Sequence, residues 1–166
     1  MNAEILSTGN EVVSGTIADT NAAHIAGALE EIGLAVKRHL CVGDDIGAIV
    51  DALKDIAGSA EVAVVTGGLG PTADDLTAEA AAAAAGVKRV HTDEARSVVQ
   101  RFFDRLGKEM TEANLKQALL PQGARCLDNR RGSAPGFCMT LGRCRFFFLP
   151  GVPSEMKAML AAEVLP

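Results

Sequence analysis

From Val64 to Thr77 the chain reads VVTGGLGPTADDLT, and the fold turns on how that stretch is parsed. Its first three residues close a continuous apolar run, EVAVVT (Glu61 to Thr66), of the kind found in a central parallel strand. Gly67, Gly68 and Gly70 then form a loop that can turn backbone N–H groups toward an anion. The DDLTAEAAAAAAG that follows reads as an alanine-rich helix with its positive end on that loop. Strand, glycine loop and helix in that order are half of a parallel α/β unit. The loop also runs into two carboxylates, Asp74 and Asp75, where an anion cradle is not expected to carry negative charge.

Working outward, the same alternation repeats. AEILST (Ala3 to Thr8) is a short buried strand closed by Gly9. In DTNAAHIAGALEEIG, Ile25, Leu29 and Ile32 recur at helical spacing, with Asp19 or Thr20 to cap the start and Gly33 to end it. LAVKRHLCVG (Leu34 to Gly43) alternates as a strand does, and DIGAIVDALKDIAG returns to helical spacing. The first half therefore reads β-α-β-α-β-α, which predicts a mostly parallel sheet with right-handed crossovers and helices on both faces. Ligands of such sheets bind beyond the carboxyl ends of the strands. TGNE, VGDD and TGGLGPTADD all fall there.

The second half reads differently. DEARSVVQRFFDRLG is an amphipathic helix, and TEANLKQALLP a shorter one stopped by Pro121. ARCLDN, GFCMTLG and RCRFFFLPG read as strands, the last two a hairpin around Leu141-Gly142, and PSEMKAMLAAEVLP as a closing helix. No repeat or linker divides residues 1–166, so we expect a single domain; the helical pattern still running at Leu165-Pro166 reads as part of a longer polypeptide.

Bulk properties narrow the function. The net charge of -5, without a Lys/Arg run, argues against a nucleic-acid surface, and the absence of Trp and Tyr against a base-stacking platform. No apolar run approaches the roughly 18–20 residues needed to cross a bilayer. With no signal-peptide pattern and four cysteines (Cys41, Cys126, Cys138, Cys144) lacking C-x-x-C or zinc spacing, the expectation is a cytoplasmic protein with reduced thiols.

GLGPTA (Gly68 to Ala73) formally fits the dinucleotide fingerprint, but it follows the third strand and Pro71 interrupts it, so we set a nicotinamide site aside. Two readings of Asp74 and Asp75 stay open. As helix caps, they suit the N-terminal dipole. As metal ligands, they hold a divalent cation between carboxylate and phosphate, which makes an acidic loop a phosphate site. Asp44-Asp45, ending what the pattern suggests is a neighbouring strand, would face the same pocket.

Taken in order, STGNEVVSGTIADTNAAHIAGALEEIG, VGDD, TGGLGPTADDLT, KQALLP, GSAPGF and FLPGVPSEMKAML resemble the N-terminal domain of the CinA (competence/damage-inducible) family. That domain is similar to the molybdopterin-binding domain of MogA, MoaB, MoeA and gephyrin. The resemblance covers nearly the whole chain and implies a three-layer α/β/α sandwich. It implies that Asp44 and Asp75 face a phosphate site and are the catalytic pair, with Asp44, Asp74 and Asp75 holding a divalent metal (Mg, Mn or Co). It places Thr66, Gly67, Gly68, Gly70, Thr77, Ser133, Pro150 and Gly151 on the substrate. The CinA branch is associated with metal-dependent cleavage of ADP-ribose, and related domains with FAD. The expected partner is thus a small phosphorylated ligand of the ADP-ribose, FAD or molybdopterin class, and the expected assembly a homo-oligomer, dimer or trimer. Asn10 stands where many relatives carry Asp, and Ala73 where His or Pro is common. The pyridine-nucleotide deamidase domain of full-length CinA proteins lies outside these 166 residues. The favoured function is hydrolysis of a nucleotide-linked pyrophosphate; the alternative is a binding module for molybdopterin or another phosphorylated ligand. His24, His39 and His91 lack partners at ligand spacing; Arg130-Arg131 read equally as a second phosphate grip or a solvated turn.

Overall fold

The computed structural model describes all residues from Met1 to Pro166. The strands are β1 (Asn2–Thr8), β2 (Ala35–Val42), β3 (Val62–Thr66), β4 (Arg89–His91), β5 (Leu119–Pro121), β6 (Arg125–Leu127), β7 (Gly136–Leu141) and β8 (Cys144–Leu149). The helices are α1 (Asn10–Val13), α2 (Thr20–Glu31), α3 (Ile46–Ser59), α4 (Thr77–Ala85), α5 (Asp93–Leu106), α6 (Glu112–Leu115) and α7 (Pro153–Met159). Six strands form one sheet in the order β2-β1-β3-β8-β7-β6, and β4 pairs with β5 in a small second sheet. β2, β1, β3 and β8 run parallel, β7 pairs antiparallel with β8 and β6 antiparallel with β7, so β7 alone is reversed and the sheet is mixed and mostly parallel, flanked by helices.

Strand periodicity builds two cores. Successive side chains point to opposite faces of a strand, so Ile5 and Val64 lie in one apolar cluster while Leu6 and Val65 lie in the other. On one face, Leu6, Ala63, Val65, Phe146 and Phe148 pack with Ile49, Leu53 and Ile56 of α3, Ala80 and Ala81 of α4 and Val99 of α5. On the other, Ile5, Val64, Phe147 and Leu149 pack with Ile25 and Leu29 of α2 and Met156 and Met159 of α7. The alanines of α4 let that helix lie close against α3, and the left-handed Gly86 ends it.

Three expectations need correction. β2 is not the neighbour of β3, because β1 lies between them; the chain order of strands does not fix their spatial order. The segment read as one helix up to Pro121 is a short helix, a 3-10 turn at Lys116–Ala118 and then β5, since Leu119 to Pro121 find a partner strand in β4. The hairpin turn is Gly142-Arg143, with Leu141 paired to Cys144. Helix α1 was not read at all; its four residues are too few to carry a periodicity.

Candidate active site

The carboxyl ends of β1, β2, β3 and β8 open into one cleft of about 580 Å³, within the range of small-molecule sites. β1 delivers Ser7, Thr8 and Glu11; β2 delivers Asp44; β3 delivers Thr66 and the glycine loop with Asp74 and Asp75; β8 delivers Pro150 and Gly151. Ser133 and Glu155 close the far side. The sequence-predicted residues are thus brought together, with one exception: Thr77 does not line the cleft. It is fully buried beneath the loop, where its hydroxyl donates to Gly67 O at 2.9 Å and lies 3.2 Å from Thr8 Oγ1.

The loop is held from below. Gly67 N–H donates to Leu149 O at 3.0 Å, extending the β3–β8 pairing by one bond, so it has no proton left for a phosphate, contrary to expectation. Its φ of +104°, and the 2.6 Å that would be left between any side-chain Cβ and Thr8 O, both require glycine. The next N–H groups, of Gly68, Leu69 and Gly70, have no acceptor in the protein and are the free donors of the loop. Lys116 clamps the outer arm, donating through Nζ to Thr72 O and, at 2.8 Å, to Asp75 O.

The carboxylates are not helix caps. The residue preceding α4 is Leu76, which makes no side-chain cap. Asp75 instead turns back, and its Oδ2 accepts from Thr72 N at 2.9 Å and Thr72 Oγ1 at 2.7 Å, leaving Oδ1 uncommitted. Asp44 accepts from Asn10 N at 3.3 Å and donates its own N–H to Asn10 Oδ1 at 2.9 Å. Asn10 therefore positions Asp44, a role its side-chain oxygen fills without charge. Asp45 points elsewhere: it caps α3 by accepting from Ala48 N at 2.8 Å.

The charge of the cleft is one-sided. Glu11, Asp19, Asp44, Asp74, Asp75 and Glu155 line it, and no Lys, Arg or His does. Asp19 caps α2 and Glu155 accepts from Asn129 Nδ2 at 2.9 Å; none of the six forms an ion pair. No three His, Cys, Asp or Glu side chains converge on one point. Asp44, Asp74 and Asp75 therefore line one cleft without being grouped as three ligands of one ion; a hard cation here would have to complete its shell from phosphate oxygens and water. Arg130 and Arg131 stay outside the cleft on an exposed turn, and the three histidines are exposed away from it. Sequence reading missed Glu11, Asn21, Lys116 and Gln117; the KQALLP motif was the one signal pointing at the last two.

The family model described as "Probable molybdopterin binding domain" matches residues 4–166. The chain belongs to this family, in its CinA-like branch. It is 53% identical over 166 residues to a CinA-like protein of Desulfosudis oleivorans, and 50% to one of Geobacter sp. strain M21, covering in each all of this chain and 40% of the relative. The chain thus spans about two fifths of the length of these curated relatives. Among solved structures, CinA of Thermoplasma acidophilum, described as of unknown function, superposes with a TM-score of 0.88 at 34% identity, covering 97% of this chain and 94% of that one. MoaB of Thermus thermophilus superposes at 0.63 with 18% identity, covering 97% and 87%, a likeness of fold. For this CinA-like domain, the matched region contains every element that lines the cleft.

Proposed function

We propose that the domain hydrolyses the pyrophosphate of a nucleotide-linked substrate, with ADP-ribose the favoured one, in the presence of a divalent cation. One observation carries the reading: a glycine loop with three free N–H donors opens into a cleft holding six carboxylates and no basic side chain. A phosphorylated ligand enters such a field only with a cation to offset the repulsion. Of Asp44, Asp74 and Asp75, fewer than three would contact it at once, with phosphate and water completing its shell. A bound divalent cation neutralises phosphate charge and makes its water a better nucleophile. The chain's own groups orient the substrate. Gly68, Leu69 and Gly70 donate to a phosphate, and Ser133 and the Pro150-Gly151 turn bound the opposite wall. An oxygen of Asp44 or Asp75 that is not on the cation accepts a proton from the attacking water. The balance is ADP-ribose plus water to AMP and ribose 5-phosphate.

A second reading, a non-catalytic module for molybdopterin or a similar ligand, is favoured by the lack of any three-acid cluster. Purified protein incubated with ADP-ribose, FAD, NAD and molybdopterin across Mg²⁺, Mn²⁺ and Co²⁺ separates the two. The expected result is AMP released from ADP-ribose, abolished by chelation. Binding without release under every metal supports the module and rejects the hydrolase.

A further inference from the structure

Three buried side-chain polar atoms in the molecule have no hydrogen-bond partner: Ser7 Oγ, Asn21 Oδ1 and Gln117 Oε1. All three residues line the same cleft. Unsatisfied polar atoms are scarce in folded cores, and their coincidence in one cavity marks where something else supplies the partner. Both amides are tied to neighbours in the cleft wall. Gln117, 5% exposed in its 3-10 turn, donates through Nε2 to Ser133 Oγ at 3.0 Å. Asn21, in the first turn of α2, donates through Nδ2 to Thr66 Oγ1 at 3.1 Å and Gly151 O at 2.9 Å. The Asn21 NH₂ spends both protons, one on a carbonyl that can only accept, so its oxygen is the unpaired group; the Gln117 NH₂ spends one of its two protons on Ser133, and its oxygen is unpaired. Ser133, receiving from Gln117, keeps its own O–H to donate.

These atoms are unsuited to phosphate, which offers acceptors and not donors. We propose that Gln117 and Asn21 read the organic part of the ligand by accepting from its O–H or N–H groups, so that the cleft selects a phosphate ester bearing a hydroxylated sugar or amino heterocycle over bare pyrophosphate. The inference rests on the phosphorylated-ligand reading above and adds Gln117 and Asn21 as the residues that set specificity. A polar site built to pair with a ligand donor rejects an analogue lacking it far more strongly than an apolar pocket does.

The test is calorimetric binding of ADP-ribose, AMP, ribose 5-phosphate and inorganic pyrophosphate to the full chain with Mg²⁺. Wild-type protein is expected to bind ADP-ribose more tightly than pyrophosphate. Gln117→Met, of similar size but with no amide, is expected to weaken ADP-ribose binding about 10- to 100-fold while leaving pyrophosphate within about twofold and the melting temperature unchanged. Whether AMP or ribose 5-phosphate also weakens shows which half carries the donor. Ser133→Ala, which frees the Gln117 amide at a half-buried site, is expected to give a smaller loss of the same selectivity, and carries the test if Gln117→Met does not fold. Equal losses for ADP-ribose and pyrophosphate, no loss for either, or wild-type binding without preference each overturn the inference. Selective binding without hydrolysis overturns the hydrolase and leaves the inference standing.

Discussion

Two sets of acidic residues in this molecule contrast in how they are held. Near the amino end of the sheet, Glu4 of β1 is only 3% exposed and fully paired. Arg38 Nε donates to it at 2.6 Å and Ser59 Oγ at 2.7 Å, and Arg38 also reaches Asp55 at 2.5 Å. These acids push the Arg38 guanidinium pKa up still further, chiefly through the hydrogen bond to Glu4. At the carboxyl end, six carboxylates line one cleft and none has a cation. The first arrangement closes on itself and fastens β1, β2 and α3 together. The second is left open on the side where α/β sheets bind ligands, in a cleft that also holds the free backbone donors of the glycine loop. A carboxylate paired inside the protein serves the fold; one held in place but unpaired is available to a ligand.

The largest expected effect tests the open set. Asp75→Asn and Asp44→Asn are nearly isosteric and neutral. Each should keep the fold while metal-dependent ADP-ribose turnover falls by roughly two decades or more, the equivalent of a few kcal/mol. Thermal melts and steady-state kinetics report the two quantities separately. Full activity in Asp75→Asn would make that carboxylate a clamp for Thr72 alone.

Assembly comes next. Val13, Ile17 and Val152 are large apolar side chains more than half exposed, and we propose that the chain forms a dimer or trimer. Light scattering at high micromolar concentration should read two or three times the 17.2 kDa chain mass. The monomer mass would remove the proposal.

The closed set predicts a stability effect without a catalytic one. Arg38→Met leaves Glu4 buried with Ser59 as its remaining side-chain donor. Orphaning a buried acceptor costs about 1–3 kcal/mol, discounted here because Arg38 is itself 40% exposed. A loss of about 2–6 °C in melting temperature, with kcat unchanged, is the expected outcome. If instead kcat fell and the melting temperature held, the division between the two acidic sets would fail.

The same contrast explains what was legible in the sequence. Helical and strand periods exposed α2, α3, β1 and β3, and the family motifs exposed Asp44, Asp75 and the glycine loop, because these depend on neighbours close in the chain. Strand order was not legible: whether β1 or β2 lies beside β3 is decided by packing across the sheet. Gly67 read as a phosphate donor because its N–H bond to Leu149 spans distant segments. Gln117 was invisible as a cleft residue since a glutamine near a proline normally reads as surface; only the turn at Lys116–Ala118 buries it.

Alkaline pH should weaken the fold through two thiols. Burial is the main cause that raises Cys126 to about 11 and Cys144 to about 12, from 9.0. The folded state therefore keeps protons that the unfolded chain gives up. This contribution is intact below pH about 9 and is lost as pH climbs toward 11 and 12. Denaturant midpoints should decline across that window, and less steeply in Cys144→Ala. An identical slope in that variant would assign the decline to other groups.

The smallest effect uses Cys41 as a reporter of the open acidic set. It is the one exposed thiol of four, on edge strand β2. Its pKa is raised by partial burial and then by the negative charge of Asp19 and Glu11, both of which line the cleft. Thiol alkylation proceeds through the thiolate, so the acids slow it. A divalent cation bound in the cleft offsets their field, and Mg²⁺ should speed iodoacetamide labelling of Cys41 by about twofold at constant ionic strength, since the interaction is partly screened. Glu11→Gln should give a similar increase without metal and a smaller response to it. A labelling rate indifferent to Mg²⁺ in the wild type would mean that no cation binds near Glu11 and Asp19.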